Sequence, residues 1–341
     1  MNFDVITIGS AVRDTYLFID KKDAVIIDNP KNEITRKKLI GLEYGAKIDV
    51  EESFQTVGGG GMNSAVTFSR FGLKSAASVS VGEDDNAGVV YKVCKDERIN
   101  TKFVQNTSKK KTGFSTLIVA GKKKDRIAIA DRGANNDQEF NTNKSGINNT
   151  KWYYTTSLSG NHWEKVLKNI TSLVKKNNTK WAWNPGGAQL DSGLKLLGKY
   201  LKHCTVFILN RDEAIGLLAH RSGKVKDNPK DLLLSILKFG SNSVIITDGP
   251  KGVYYADQSK MIHVSADLSV VPKEKTGAGD SFGSGFIAGL ILNKDIGTAL
   301  GLAVSNSESV IQDIGAQKGI LYKQDIKKIK KDTKHKITEI N

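Results

Sequence analysis

The 341-residue chain has only two cysteines, Cys94 and Cys204, far apart and outside any CxxC or His/Cys cluster. That excludes a disulfide-stapled scaffold and a structural zinc site, and it suits two buried free thiols in a reducing cytoplasm. No stretch reaches the roughly 18 uninterrupted apolar residues of a membrane span; the longest candidate, Phe286 to Leu292, is short and broken by Gly289. The start, MNFDVITIGS, lacks a basic region followed by a long apolar run, so no secretory signal is expected. The phosphate loop GxxxxGK[ST] is missing, which argues against a P-loop enzyme. Gly58 to Asn63 is no dinucleotide fingerprint, because an Asn stands where the third glycine belongs and no suitably spaced acidic residue follows.

What is abundant is positive charge. Lys and Arg number 51 against 36 Asp and Glu, a formal charge of +15. Such a balance can attract nucleic acid or acidic lipid. The lysines are dispersed, with clusters only at Lys109–Lys111, Lys122–Lys124 and the tail from Lys323 to Lys336. The first two read as hairpin tips and the tail as the exposed face of a last helix. No aromatic residues interleave with the tail lysines, so the stacking of a single-strand binder is missing. The expectation is solvated surface rather than a nucleic-acid site.

The chain opens on a buried-type strand, Asp4 to Ser10. Short β-like pieces follow at Tyr16–Ile19, Ala24–Ile27 and Ala46–Val50, split by charged turns containing Asn29-Pro30, and read as a β extension leaving the core. Gly58–Gly61 leads into a helix, Met62 to Phe71, which Gly72 ends. Ser75–Val81 reads as a strand, Asp85–Cys94 as a helix, and Phe103–Val104, Phe114–Ala120 and Arg126–Ala130 as strands, the last two a hairpin across residues 121–125. From Trp152 strands and helices alternate. Strands are expected at Trp152–Thr155, Trp181–Trp183, Thr205–Leu209 and Ser243–Thr247, with a hairpin over Gly252–Val264. Helices are expected near Trp163–Lys175, Ser192–Leu201, Asp212–Ala219, Leu232–Phe239, Gly279–Leu292 and Ile296–Ile314. This alternation predicts an α/β fold, a doubly wound, mostly parallel sheet flanked by helices.

One motif carries chemistry. Lys275-Thr-Gly-Ala-Gly-Asp280-Ser-Phe282 lies between a strand-like segment, Ser269–Pro272, and an apolar helix. Its glycines allow a tight turn that points several N–H groups at one spot. That spot is a helix N-terminus, where anions are stabilised, and Asp280 stands beside it. An anion cradle with an adjacent carboxylate is what phosphoryl transfer to a hydroxyl requires. Read without context, Asp280 serves equally well as a helix cap.

Two ordered segments resemble the paired signatures of the ribokinase-like (PfkB-type) carbohydrate kinases. The first is Gly58-Gly-Gly-Gly-Met-Asn63 on to Gly72. The second is Gly277 to Phe282, about 220 residues later. Smaller matches fill the gaps: Gly9 to Asp14, Val81 to Gly88, Thr112-Gly113, Gly133-Ala-Asn135, Asn210-Arg-Asp-Glu213, Thr247 to Gly252, and Gly315-Ala316. The resemblance implies one kinase domain over 1–341, with a β lid from 15–52 and 106–132 inserted in the core. It implies an ATP-dependent phosphotransferase acting on a primary hydroxyl of a sugar, with Mg2+ and ATP as cofactor and phosphoryl donor. A nucleoside kinase on the same fold, or a non-catalytic sugar or nucleotide sensor, stays open.

By the same resemblance Asp280 is the general base, and Gly277, Ala278 and Gly279 form the anion hole. Asp14, read as ending the first strand, Gly59, Gly60 and Asn63, read as opening the following helix, contact the acceptor. Their plainer readings are a turn residue for Asp14 and a helix cap for Asn63. Asn210, Thr247, Gly249, Gly252 and Gly315 contact the nucleotide, and Glu213 orders water around Mg2+; the plainer reading of Asn210 and Glu213 is a strand-to-helix cap. Exposed lid strands in this family pair as homodimers. One departure stands out: the family commonly carries Asp-Thr before Thr-Gly-Ala-Gly-Asp, and some members use that Asp to bind a monovalent cation. Glu274-Lys275 occupies those places here, so weak or absent potassium dependence is expected. Asn210-Arg-Asp212 and Asp280-Ser-Phe-Gly283 only superficially match protein-kinase elements, for no His-Arg-Asp and no Gly-rich hairpin near the start accompany them.

Overall fold

A computed structural model of the protein describes residues 2–30, 38–120, 126–222, 225–329 and 335–340. The chain opens with β1 (Phe3–Ile8) and crosses into β2 (Val12–Ile19). An antiparallel pair follows, β3 (Val25–Asp28) and β4 (Lys38–Gly41), and then β5 (Val50–Gly58) leads into α1 (Gly60–Arg70). Next come β6 (Ser75–Ser78), β7 (Ser80–Gly82), α2 (Asp85–Asp96), β8 (Gln105–Thr107), β9 (Gly113–Val119) and β10 (Arg126–Asp131). The alternating half begins at β11 (Thr150–Thr155) and runs through α3 (Trp163–Asn177), β12 (Lys180–Trp183), α4 (Gly187–Leu190), α5 (Gly193–Leu201), β13 (Val206–Asn210), α6 (Arg211–Ser222), α7 (Pro229–Leu237) and β14 (Ser243–Thr247). It closes with β15 (Val253–Asp257), β16 (Met261–Val264), α8 (Ala278–Ile291), α9 (Ile296–Ile311), α10 (Lys323–Ile329) and β17 (Ile337–Glu339).

Nine strands form the main sheet in the order β17-β16-β15-β14-β13-β12-β11-β1-β6. The pairs from β6 through β14 are parallel and the three strands beyond β14 are antiparallel. Strand periodicity divides the core in two. Trp181, Trp183, Phe207, Leu209, Val244 and Ile246 face one side, with Leu167, Leu197 and Leu233 of the helices. Ala182, Val206, Ile208 and Ile245 face the other, with Phe68, Phe282, Phe286 and Leu300. Helices on both faces bury the central residues of the parallel strands, and each large apolar side chain so buried contributes about 1.5–3 kcal/mol.

A second sheet has the order β10-β9-β2-β5. β2 and β9 run parallel and the other two pairs are antiparallel. It grows from the end of β1, so it lies beside the carboxyl ends of the main strands. Tyr16, Leu117 and Val119 are buried on its inner face with Phe18, Phe54 and Ile314. Phe114, Ile127 and Ile129 are exposed on its outer face.

Several expectations need correction. Ser269–Pro272 forms no strand; Val271 is exposed, and the segment is a turn at Ser269 followed by irregular chain. Ser75–Val81 is two strands in different sheets, because β7 leaves β1 to pair with β8. For the same reason Lys109–Lys111 is no hairpin tip: β8 pairs with β7, not with β9. The second sheet draws on residues 12–19, 50–58, 113–119 and 126–131, a longer reach into the chain than 15–52 and 106–132 on its first stretch. The tail does hold a helix, but the chain then adds β17 to the main sheet. Lys122–Lys124 and the loop over 121–125 lie outside the described residues. Cys94 and Cys204 are buried free thiols, and among the described residues no helix is long and apolar enough to cross a membrane.

Candidate active site

Two glycine-rich turns meet at the carboxyl edge of the main sheet. The first, Gly58–Gly61, joins β5 to α1. Gly59 has φ +92°, and a Cβ there would lie 2.5 Å from Ser10 O. A Cβ on Gly58 would lie 1.9 Å from Asp14 Oδ2, and one on Gly60 would lie 2.6 Å from Thr156 Oγ1 and 3.1 Å from Asp280 Oδ1. This turn therefore separates the two acidic residues singled out in the sequence, and touches both.

Asp280 stands in the first turn of α8, behind Gly277. Gly277 has φ +80°, and a Cβ on it would lie 2.6 Å from the Ala316 Cβ, so only glycine fits. The turn is braced from α9: Ser307 Oγ donates to Ala278 O at 3.0 Å and Asn306 Nδ2 to Ser281 O at 2.8 Å. Ala278 N donates to Lys275 O at a long 3.3 Å. Among the described residues the amides of Gly277, Gly279 and Asp280 make no hydrogen bond. They are part of the unsatisfied donor set of a helix start, which favours an anion.

Asn63 Nδ2 donates to Asp280 Oδ2 at 2.8 Å. Burial raises the pKa of the Asp280 carboxyl above its ordinary value, and the Asn63 hydrogen bond opposes that shift. Asn63 does not open α1; it is the fourth residue of the helix, and its own amide donates to Gly59 O at 2.9 Å. It is neither a cap nor free to turn wholly to a ligand.

Asp14 is not at the end of β1. It sits inside β2, one strand further on, and is buried, with Ser115 Oγ donating to Oδ1 at 2.5 Å. Burial pushes its carboxyl up to about 6, Ser115 lowers it, and the nearby Glu274 charge raises it again.

Glu274 stands where some members of the family carry a cation-binding Asp. In the structure its side chain is 2% exposed and meets the Arg126 guanidinium at 2.7 Å. Oε1 also accepts from Thr276 N at 2.7 Å and Thr276 Oγ1 at 2.5 Å, and Tyr16 Oη donates to Oε2 at 3.3 Å. Arg126 and Tyr16 belong to the second sheet, so that sheet grips the loop that presents the α8 amides. Sequence reading missed Arg126, Ser115 and Tyr16. Alternation placed each on a strand, but nothing local reports a partner so distant in the chain.

A second group lies further along the same edge. Asn210 and Thr247 end β13 and β14 and pair in register. Asn210 Oδ1 accepts from Glu213 N at 2.9 Å while Glu213 Oε2 accepts from Asn210 N at 2.8 Å. This is the reciprocal capping box, the plainer reading of the pair. Glu213 Oε1 is not used by it, and burial raises the Glu213 pKa. Gly249 has open surroundings, whereas a Cβ on Gly252 would lie 2.1 Å from Val264 O, so the hairpin alone requires that glycine. Gly315, φ +94°, lies against Thr56 of the second sheet, next to the Ala316 that packs on Gly277. Among the described residues the Asn210–Glu213–Thr247 group shares no hydrogen bond with Asp280.

Comparison with known proteins gives the family and the fold. The model of the pfkB family carbohydrate kinases matches residues 22–322. A ribokinase of Bacillus subtilis is 24% identical over 278 residues, 81% of this chain and 89% of that protein. An ATP-dependent 6-phosphofructokinase of Thermoanaerobacterium thermosaccharolyticum is 24% identical over 307 residues, 86% and 92% of the two chains. Among solved structures, Arabidopsis thaliana ribokinase complexed with ribose and ATP superposes with a TM-score of 0.80 at 18% identity, covering 97% of this chain and 100% of that one. The nucleoside kinase of Methanocaldococcus jannaschii superposes with a TM-score of 0.74 at 18% identity, covering 97% and 99%. With its mostly parallel core, its small second sheet and this family match over most of its length, the chain belongs to the pfkB family of carbohydrate kinases.

Proposed function

We propose that this kinase moves the γ-phosphoryl group of ATP to a primary hydroxyl of a sugar. The observation that carries the reading is Asp280, held by Asn63 at the start of α8 beside amides that no described residue uses. The acceptor hydroxyl gives its proton to Asp280 as its oxygen bonds to phosphorus, and the bond to the ADP oxygen breaks. The amides of Gly277, Gly279 and Asp280 stabilise the charge on the transferring group. Asp14, with one carboxylate oxygen on Ser115 and the other facing Gly58, accepts from acceptor hydroxyls. The second sheet serves as the lid, excluding water from the transfer.

Asn210, Thr247 and Gly249 line the nucleotide side of the edge. Glu213 Oε1, on a carboxylate that the capping box holds in place, would order water around a hydrated Mg2+ brought in by the phosphates. The ion would neutralise phosphate charge. A nucleoside acceptor is the second reading, favoured by the half-buried Phe54 ring stacked on Tyr16 at 4.6 Å on the inner face of the lid. The exposed Phe114, Ile127 and Ile129 on the outer face support pairing of two lids in a homodimer, which sedimentation equilibrium tests.

ADP release measured against ribose, fructose, 2-keto-3-deoxygluconate, adenosine and cytidine decides among acceptors. Ligand binding without ADP release from any acceptor, unchanged by Asp280→Asn, would replace the kinase reading with a sensor.

A further inference from the structure

The proposed transfer needs Asp280 ionised, and so needs the Asn63 amide held with its donor toward the carboxylate. That amide has one donating end and one accepting end. Its Nδ2 faces Asp280, and its Oδ1 accepts from Gln317 Nε2 at 3.0 Å. Asn63 is 3% exposed and Gln317 8% exposed, so bulk water cannot readily substitute for either partner. We infer that Gln317 is a positioning residue: by donating to Asn63 Oδ1 it fixes the polarity of the chain Gln317–Asn63–Asp280 and so keeps a donor on the base.

The surroundings are built to hold Gln317 in place. Arg70, in the last turn of α1, donates to the carbonyls of Gln317 at 2.7 Å and Ile320 at 3.0 Å, and its guanidinium pairs with Glu97 at 2.6 Å. From the opposite side Asn306 Oδ1 accepts from Leu321 N at 3.0 Å, while its Nδ2 holds Ser281 O beside Asp280. Thus α1, α9 and the first turn of α8 all fix the 317–321 turn. An acceptor-only group at 317 reverses the logic. Asn63 must then turn its Nδ2 toward position 317, and its Oδ1 faces the Asp280 carboxylate. Two acceptors in contact force Asp280 to keep its proton.

The inference rests on the kinase reading for its meaning, but it is testable apart from it. Gln317→Glu is nearly isosteric. The expected result is an acid limb of the kcat profile displaced upward by about one pH unit or more, lower kcat at neutral pH, and KM for ATP within about twofold of the wild type. Recovery of kcat at high pH is also expected, which a mere packing defect would not give. Gln317→Leu, neutral and unable to donate, should move the limb the same way by less, and serves if the Glu variant does not fold. A second readout needs no turnover: the Asp280 carboxyl carbon, identified by its loss in Asp280→Asn, is titrated by 13C NMR in the enzyme without nucleotide. An upward shift in either variant supports the role. An unmoved limb and an unmoved resonance in both overturn it. Wild type inactive toward every acceptor, with the resonance still shifting, would sink the kinase reading and leave the Gln317 role standing.

Discussion

The two glycine-rich helix starts look alike in sequence and differ in what demands the glycine. At α1 the demand comes from the protein. Side chains at Gly59, Gly60 or Gly61 would run into Ser10 O, Thr156 and Val79 at 2.5 to 2.8 Å. At α8 it is divided. Gly277 is required by its φ and by Ala316, but a Cβ on Gly279 would meet no protein atom within 4 Å. A glycine that the fold does not need, on the exposed side of a helix start with unused amides, points to close approach by something outside the protein. The glycines of the α1 turn are therefore demanded by packing, and Gly279 of the α8 turn is left open to the ligand of the proposed site.

The sharpest way to break that contrast is Asp280→Asn. It should lower kcat by about 10²- to 10⁴-fold. The unfolding midpoint at neutral pH should stay or rise, since burial disfavours the charge that is removed. A large loss of stability would mean that Asp280 serves α8 as a cap. Next in size is Gly60→Ala, which should cost about 1–3 kcal/mol in denaturant unfolding because Thr156 must give way. Gly279→Ala should do the opposite. Stability should gain about 0.4–1 kcal/mol from the stiffer unfolded chain, while kcat falls about tenfold as the methyl group meets the phosphate. If both variants lost stability equally, the two turns would be equivalent and the distinction drawn between them would be wrong.

How far the sequence alone reaches follows the same division. Ser243–Thr247 is read to the residue, because a strand buried on both faces is a continuous apolar run. The Gly277–Asp280 turn is legible since its glycines and its carboxylate are adjacent. β17 is not: its three residues are exposed and are held by backbone pairing to β16, which leaves no apolar pattern. Ser269–Pro272 misleads because Val270 and Val271 mimic a strand without any partner strand beside them. Asn63 and Asp280 are 217 residues apart, and no local spacing shows that an apparent helix cap is the base's hydrogen-bond donor. Chemistry that depends on one segment was readable; chemistry assembled across the fold was not.

The two carboxylates offer a smaller test through pH. Asp14 is raised to about 6, and in its role it must accept hydrogen bonds as the ion. KM for the acceptor should rise about fourfold between pH 7 and 5.5. Stability should rise over the same change. A folded-state pKa above the unfolded 3.8 contributes stability that is fully present below about pH 4 and is lost as pH rises through 6. KM and stability rising together on acidification is a signature that general acid damage cannot produce. In Asp14→Asn both trends should flatten.

The smallest expected effect is none at all. Wild-type rates in potassium and in sodium should coincide, because the carboxylate best placed to bind a monovalent ion already faces the Arg126 guanidinium at 2.7 Å and two donors from Thr276. A fixed cation with an almost fully buried partner leaves nothing for a mobile one to neutralise. Arg126→Gln removes the charge and leaves Glu274 buried without its counterion, a situation that costs about 3 kcal/mol when fully realised and less here, where Arg126 is partly exposed. In that variant potassium should raise both the unfolding midpoint and the rate relative to sodium. A severalfold preference for potassium in the wild type would show that the ion reaches the α8 loop by another route. Wild type and Arg126→Gln responding identically would show that the second sheet does not control the charge at Glu274.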